Sequence, residues 1–261
     1  MRSYLLRLGQ TRSGSTFPLV RFGDFYSNPF MDKRVSGNYT GPPRNPAVRE
    51  LVADKRIGSG APSIKLGQQG FHSWHERGYL PHRDEPGLTQ FVTFRLADSF
   101  PAALRSEWEA LLKVEDAPKR CEQLQDYLDK GKGECLMRRP ELARLVEDSL
   151  RFFHDQRYEL RAWVVMPNHV HVLFQTGNES LSRTVESWKK FTAHEANKLT
   201  GRRGPFWFED YWDTFMRDSE HELRTRHYIE ANPVKAFLVR EAKEWPWSSA
   251  RLRDQSGRLV L

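Results

Sequence analysis

The sequence has few cysteines and no long hydrophobic run. Its 2 cysteines, Cys121 and Cys135, are too few for a disulfide framework and show no spacing typical of metal ligands. A bilayer-spanning helix needs about 18 apolar residues in succession, and no such run is present. The first ten residues also lack a secretory pattern. These absences lead us to expect a reduced, cytoplasmic protein with no membrane partner.

A phosphate-cradling P-loop and a cysteine-based zinc pattern are also missing. The chain is nevertheless able to fold, because 38% of its residues are hydrophobic and 12% are aromatic. Its net charge is +7, and residues 1–87 contribute most of the excess, with 13 Lys or Arg against 7 Asp or Glu. A basic balance favours polyanionic partners, because cations that neutralise phosphates release condensed counterions.

The first 70 residues differ in composition from the rest. They contain 9 of the 17 glycines and 6 of the 15 prolines, and segments such as 41–46 and 58–62 are typical of turns and linkers. No sustained helical or strand period runs through them. We therefore predict an irregular or disordered basic extension over 1–70, followed by one domain with a C-terminal tail over 71–261.

Hydrophobic periodicity predicts an alternation of strands and helices in that domain. A last helix is expected to begin at Ser219, which forms a capping-box pattern with Glu222, and to run through Tyr228. This order is compatible with an antiparallel sheet covered by helices in the split βαβ manner. The strands are predicted over 89–96, 158–166, 169–175 and 211–216, and the other helices over 102–114, 120–128, 141–154 and 180–199.

Two histidines are separated by one residue on the third predicted strand. Alternate side chains of a strand point to the same face, so His169 and His171 should project together. Two adjacent imidazoles can chelate a divalent ion. The alternative is that both are half-buried polar residues of a sheet face.

Tyr228 and Asn232 are four residues apart, so they lie on one face of the last predicted helix. A metal held by the two histidines and the Asn232 oxygen would be within reach of the Tyr228 hydroxyl. Tyrosine is a poor nucleophile, with an ordinary pKa of about 10, and a metal on the scissile phosphate would offset this. Alternatively, Tyr228 is an interior aromatic residue and Asn232 ends the helix before Pro233.

These segments resemble those of a known family. Met-Pro-Asn-His-Val-His at 166–171 and Tyr-Ile-Glu-Ala-Asn-Pro-Val-Lys-Ala at 228–236 are similar to the IS200-like tyrosine transposases, in particular their REP-associated branch. Trp-Pro-Trp-Ser-Ser follows at 245–249, and further matching segments lie at 90–96, 206–207 and 210–212. The resemblance spans roughly residues 74–251.

The resemblance implies an α+β HUH endonuclease, with a ferredoxin-like antiparallel sheet covered by helices. By this likeness His169, His171 and Asn232 would hold Mg²⁺ or Mn²⁺, and Tyr228 would attack a DNA phosphodiester to form a 5′-phosphotyrosine and a free 3′-OH. The implied partner is single-stranded or hairpin DNA from repetitive extragenic palindromes. The family also implies a monomer or a homodimer, and a nucleoid-associated protein.

Four arginines are candidate DNA contacts. Arg224 lies one turn before Tyr228, Arg95 is on the first strand of the domain, and Arg202 and Arg203 lie in a glycine-flanked loop suited to phosphate contact. The helical segment 102–154 is longer than a minimal family member requires, and we expect it not to touch the proposed site.

Two other functions compete with the transposase. A non-catalytic nucleic-acid-binding module of the same fold would explain the charge and the aromatic residues, but it would leave the histidines, the tyrosine and the asparagine without a shared purpose. A small-molecule metal hydrolase would normally need a third histidine or a carboxylate ligand, and no nucleophilic tyrosine.

Overall fold

The computed structural model describes residues 71, 73–77, 80–101, 107, 110, 111, 114 and 117–261. The extension predicted for 1–70 lies outside the described residues, so the domain boundary at 71 stays a prediction. Most of the helix predicted over 102–114 also lies outside the described residues. None of the helices in the described part is both long and apolar enough to cross a membrane.

From Thr89 onward, the described elements alternate as the periodicity predicts, within one or two residues at most of their ends. The two strands between residues 73 and 84 were not predicted. The strands are β1 (Ser73–Arg77), β2 (Leu80–Asp84), β3 (Thr89–Arg95), β4 (Tyr158–Val165), β5 (His169–Thr176) and β6 (Trp212–Phe215). The helices are α1 (Ala117–Asp129), α2 (Pro140–Arg151), α3 (Leu181–Thr200) and α4 (Ser219–Lys235). Short 3-10 turns occupy Leu136–Arg138, Ala242–Glu244 and Ser249–Leu252.

Four strands form the central sheet in the order β4-β5-β3-β6, and every neighbouring pair is antiparallel. The first strand of this sheet thus lies between the third and the fourth, which is the ferredoxin-like arrangement. β1 and β2 form a separate two-stranded ribbon. The predicted α+β class and antiparallel sheet are confirmed.

The capping residues predicted from the sequence agree with the structure for α3 but not for α4. Ser180 caps α3 by accepting a hydrogen bond from the Arg183 N–H, and α3 ends at Gly201, whose φ of 66° suits glycine. The predicted cap of α4 at Ser219 is wrong by one residue. The Asp218 carboxylate accepts the His221 N–H at 2.7 Å and is the actual cap.

Helix α4 does not end at Asn232. It continues through Pro233 to Lys235, and the Asn232 carbonyl accepts the Ala236 N–H at 2.9 Å. A proline inside a helix removes one helical hydrogen bond and costs about 3 kcal/mol, so tertiary packing must outweigh this cost. Pro233 is indeed buried.

Each face of the sheet is buried in its own hydrophobic core. One core packs α2 and α3 against the face that carries Val172 and Phe174. The other packs α4, through Tyr228 and Ile229, against the face that carries Phe91. Because alternate residues of a strand face opposite sides, His169 and His171 lie on the α4 side.

The C-terminal segment, residues 245–261, connects the sheet to α4 on one face and to α2 on the other. Arg253 Nε donates to Glu230 of α4 at 2.7 Å, and Arg251 Nη2 donates to both oxygens of Glu147 of α2 at 2.8 and 2.9 Å. Glu147 is 2% exposed and also accepts the indole N–H of Trp163 in β4 at 2.9 Å. The segment therefore supplies the counter-charge of a buried carboxylate.

We predict that Arg251→Ala lowers the free energy of unfolding by about 3 kcal/mol, because it leaves the Glu147 carboxylate buried without its cation. The measurement is urea denaturation of the full chain. Arg258→Ala, at an exposed position of the same segment, is the matched control and should change stability by less than about 0.5 kcal/mol. Equal effects of the two substitutions would contradict the prediction.

Candidate active site

The two histidines lie side by side in the middle of the sheet. Both are fully buried on β5, and their ring centroids are 4.7 Å apart. In the register of β3 with β5, Thr93 lies opposite His171 and Arg95 lies opposite His169. The predicted shared face of His169 and His171 is confirmed.

A neighbouring oxygen orients each imidazole. Asn168 donates its side-chain Nδ2 to the carbonyls of Leu128 at 3.2 Å and Lys132 at 3.1 Å. Its Oδ1 therefore faces His169 Nδ1, 2.8 Å away, and this ring nitrogen must donate. The Nε2 atom of His169 is left with its lone pair, which is the form that binds a metal.

His171 is held in the same way by the opposite strand. Its Nδ1 lies 2.8 Å from Thr93 Oγ1, a hydroxyl that can accept the Nδ1 proton. Burial, the His169 ring and Lys235 together hold the pKa of His171 well below its ordinary value. Burial, aided by Lys235, lowers the pKa of His169 to about 3. Both imidazoles are thus neutral near pH 7, as metal ligation requires.

Helix α4 brings Tyr228 and Asn232 to this face. The Tyr228 ring is 4% exposed, and its centroid lies 5.7 Å from that of His171 and 6.2 Å from that of Phe91. Asn232 is fully buried, and neither its Oδ1 nor its Nδ2 has a hydrogen-bond partner among the described residues. A buried amide without partners costs free energy, so this one calls for a ligand that the protein does not itself provide.

Helix α1 also reaches the site, which the sequence analysis missed. Gln125 Nε2 lies 3.3 Å from His169 Nε2 and 2.9 Å from His171 Nε2. Asp129 Oδ1 lies 3.7 Å from His169 Nε2. The expectation that the helical segment 102–154 does not touch the site is therefore wrong.

Lys235 connects α4 to α1 beside the tyrosine. Its Nζ lies 2.8 Å from Asp126 Oδ1, 3.1 Å from Asp129 Oδ2 and 5.9 Å from the centroid of the Tyr228 ring. Burial lowers the pKa of Lys235, but the two carboxylates outweigh it and the net shift is upward. Lys235 is therefore a permanent cation at the edge of the site.

The four candidate DNA-binding arginines are placed very differently. Arg95 is buried, with its guanidinium carbon 4.1 Å from the Phe100 ring centroid and 3.6 Å from that of Phe208, and burial lowers its pKa to about 9. Its expected phosphate contact has no support in this arrangement. Contacts from the others stay predictions: Arg224 pairs with Glu220, Arg202 pairs with Glu134, and Arg203 is exposed.

The available ligands suit a hard or borderline divalent ion. Among the described residues, no three His, Cys, Asp or Glu side chains are grouped to hold a metal, so the candidate third ligand from the protein is an amide oxygen. Asn232 Oδ1 is such an atom, buried and without a partner in the described part of the chain. Imidazole nitrogen with amide oxygen is a donor set that Mn²⁺ and Mg²⁺ accept.

A protein-family model matches part of the chain. The model of the family described as "Transposase IS200 like" matches residues 138–232, from the 3-10 turn before α2 to Asn232 in α4. This segment, which is less than half of the chain, is similar to that family of transposases. The matched segment contains the histidine pair, Tyr228 and Asn232, but it does not include α1.

Two curated proteins are similar to part of the chain. A REP-associated tyrosine transposase of Escherichia coli is 28% identical over 97 residues, which are 36% of this chain and 56% of that protein. A putative REP-associated tyrosine transposase of Haemophilus influenzae is 25% identical over 103 residues, which are 35% of this chain and 58% of that protein. The chain thus spans somewhat more than half the length of the curated relatives it matches.

Two solved structures are similar at low identity. One is a REP-associated tyrosine transposase bound to a REP hairpin, with 18% identity and a TM-score of 0.44 over 71% of this chain and 99% of that one. The other is a putative transposase from Deinococcus radiodurans, with 15% identity and a TM-score of 0.27 over 60% of this chain and 95% of that one.

We predict that Asn168→Ala lowers the free energy of unfolding by about 2–3 kcal/mol, since it leaves His169 Nδ1 buried without its acceptor and removes the hydrogen bonds to the Leu128 and Lys132 carbonyls. Urea denaturation measures the change. The control is Asn197→Ala, which removes a single exposed hydrogen bond to the Gly204 carbonyl and should cost about 0.5 kcal/mol. A loss at Asn168 no larger than this would show that the asparagine does not hold the imidazole.

Proposed function

We propose that the protein is a metal-dependent transesterase of single-stranded DNA, with Tyr228 as nucleophile and His169, His171 and Asn232 as metal ligands. One observation carries the proposal. The Tyr228 ring lies 5.7 Å from the ring of a metal-competent His171, and Asn232, one turn further along the same helix, has an amide without partners in the described residues. A purely structural role leaves this unsatisfied amide unexplained.

The reaction exchanges one phosphodiester for another. Tyr228 Oη attacks the phosphorus and forms the new P–O bond, while the bond from phosphorus to the 3′ oxygen breaks. The tyrosine loses its proton and the departing oxygen gains one as a 3′-OH. Because a phosphotyrosine ester replaces the cleaved ester, the strand can be rejoined by the reverse attack without ATP.

A bound divalent ion would supply Lewis-acid polarisation of the scissile phosphate and offset its developing charge. The protein's own residues do the positioning. Thr93 Oγ1 and Asn168 Oδ1 each lie 2.8 Å from the Nδ1 atom of one imidazole. These contacts orient the two rings so that their Nε2 atoms face the site. Helix α4 fixes the spacing of Tyr228 and Asn232.

Lys235 is a candidate for stabilising negative charge. Its ammonium lies 5.9 Å from the Tyr228 ring centroid, near enough to favour the phenolate form. Asp126 and Asp129 hold it there. Its charge would also attract the phosphate that the tyrosine attacks.

Hairpin DNA from repetitive extragenic palindromes is the proposed substrate. The names of both curated relatives point to REP elements, and the net charge of +7 suits a polyanionic partner. Arg224, Arg202 and Arg203 remain the proposed phosphate contacts on the described surface.

Tyr228→Phe should abolish a covalent protein–DNA adduct while leaving hairpin binding within about two-fold, because only the nucleophilic oxygen is removed. The assay incubates the full chain with labelled single-stranded hairpin DNA and Mn²⁺, followed by denaturing electrophoresis. Tyr211→Phe, at a partly buried position outside the site, is the matched control and should form the adduct normally. Adduct formation by the Tyr228 variant would refute the nucleophile. Tight binding without any adduct in the wild type would favour the non-catalytic module.

The double variant His169→Ala, His171→Ala should lose cleavage that depends on Mn²⁺, because the remaining amide ligand is too weak to hold the ion alone. Cleavage is followed with increasing Mn²⁺ and again with a chelator. Thermal melting without metal checks that the variant still folds. Cleavage that persists in a folded variant would place the metal elsewhere.

A further inference from the structure

Gln125 occupies the space between the two metal-competent nitrogens. It lies on α1, is 1% exposed, and directs its Nε2 at both His169 Nε2 and His171 Nε2, 3.3 and 2.9 Å away. A side chain placed there must either leave or join when a cation binds to the two imidazoles. Its chemistry indicates which of the two happens.

The site has more acceptors than donors around this amide. His169 Nε2 carries a lone pair because its Nδ1–H donates to Asn168 Oδ1, and His171 Nε2 carries one in the tautomer whose Nδ1–H donates to Thr93 Oγ1. Asp129 Oδ1 is a third acceptor, 3.1 Å from Gln125 Nε2. An amide nitrogen has two hydrogens and three acceptors surround this one, so one acceptor is left over. A cation would remove this imbalance.

The oxygen of the same amide, in contrast, lacks a hydrogen-bond donor in the described part of the chain. Gln125 Oε1 is buried and has no hydrogen-bond partner among the described residues. Rotation by 180° about the last side-chain bond would exchange the oxygen and the nitrogen with little change in shape. Without a cation, the rotated oxygen would face three acceptors and be repelled. With a divalent ion between the imidazoles, it would face a positive charge.

We propose that Gln125 is an additional metal ligand, whose amide nitrogen caps both imidazoles in the metal-free protein and whose oxygen binds the ion after the amide rotates. The inference rests on the metal site of the proposed function and adds a ligand from α1, outside the segment 138–232 that matches the family model. Amide oxygen is a ligand that Mg²⁺ and Mn²⁺ accept. The opposing possibility is that Gln125 only plugs the site and competes with the metal.

Metal affinity separates these two roles. Isothermal titration of Mn²⁺ into the metal-free full chain is compared for the wild type, Gln125→Leu, Gln125→Glu and Gln123→Leu. Removing a ligand or its support weakens metal binding about 10–100-fold, so Gln125→Leu should bind Mn²⁺ at least about 10-fold more weakly. Gln125→Glu retains an oxygen and adds charge, and it should bind at least as tightly as the wild type. Gln123→Leu makes the same change on the same helix and should stay within about two-fold of the wild type.

The outcomes are distinct. Binding by Gln125→Leu that equals or exceeds the wild type would overturn the ligand role and leave the histidine site intact. Absence of Mn²⁺ binding in the wild type would overturn the metal site of the proposed function itself. If Gln125→Leu fails to melt cooperatively without metal, Gln125→Met replaces it, because methionine keeps the length and lacks the oxygen.

Amide rotation has its own readout. The side-chain NH₂ signals of Gln125, assigned by their loss in Gln125→Glu, should shift in a ¹H–¹⁵N spectrum when diamagnetic Mg²⁺ is added, because both imidazole hydrogen bonds are lost. The signals of Gln123 should not move. Unmoved Gln125 signals at saturating Mg²⁺ would refute the rotation.

Discussion

The antiparallel pairing of β3 with β5 is the constraint on which the site depends. It places Thr93 opposite His171. Through the same alternation, it leaves Val92 and Phe94 of β3 and Val170, Val172 and Phe174 of β5 to the opposite core. A slip of one residue would turn the histidines into the wrong core and present valines to Tyr228. The hydrophobic packing that stabilises the sheet thus also selects the register in which the imidazoles face the tyrosine.

The polar groups on the α4 side of the sheet are costly to bury, and they differ in whether they have a hydrogen-bond or ion-pair partner. The imidazole Nδ1 atoms are paired with Thr93 and Asn168, and Glu230 at the periphery has an arginine partner from the C-terminal segment. The amides of Gln125 and Asn232 are the exceptions, since each has a buried atom without a partner in the described residues. Unsatisfied atoms so close to two neutral imidazoles are what a site built for a cation would contain.

The sequence predicts those parts of the fold and the candidate site whose geometry is set by residues close together in the chain. His169 and His171 share a face because strand side chains alternate, and Tyr228 and Asn232 share one because helices repeat every 3.6 residues. Gln125 contacts the histidines only because of where α1 crosses the sheet, more than 40 residues earlier in the chain, and no local pattern encodes that crossing. The burial of Arg95 depends likewise on Phe208, which is distant in sequence.

The attachment of the C-terminal segment bears on the order of events during synthesis. Ser249 accepts the Trp163 N–H of β4 and donates to Glu230 of α4. Both hydrogen bonds can form only after Ser249 has been synthesised, which is later than β4 and α4. Ribosomes add about 5–20 residues per second, so Ser249 is added about 0.7–3 s after the last residue of α4, Lys235. During synthesis there is therefore an interval in which α4 is complete but its hydrogen bond to Ser249 has not yet formed. Full assembly of the candidate site is in this way delayed until after the helix itself is translated.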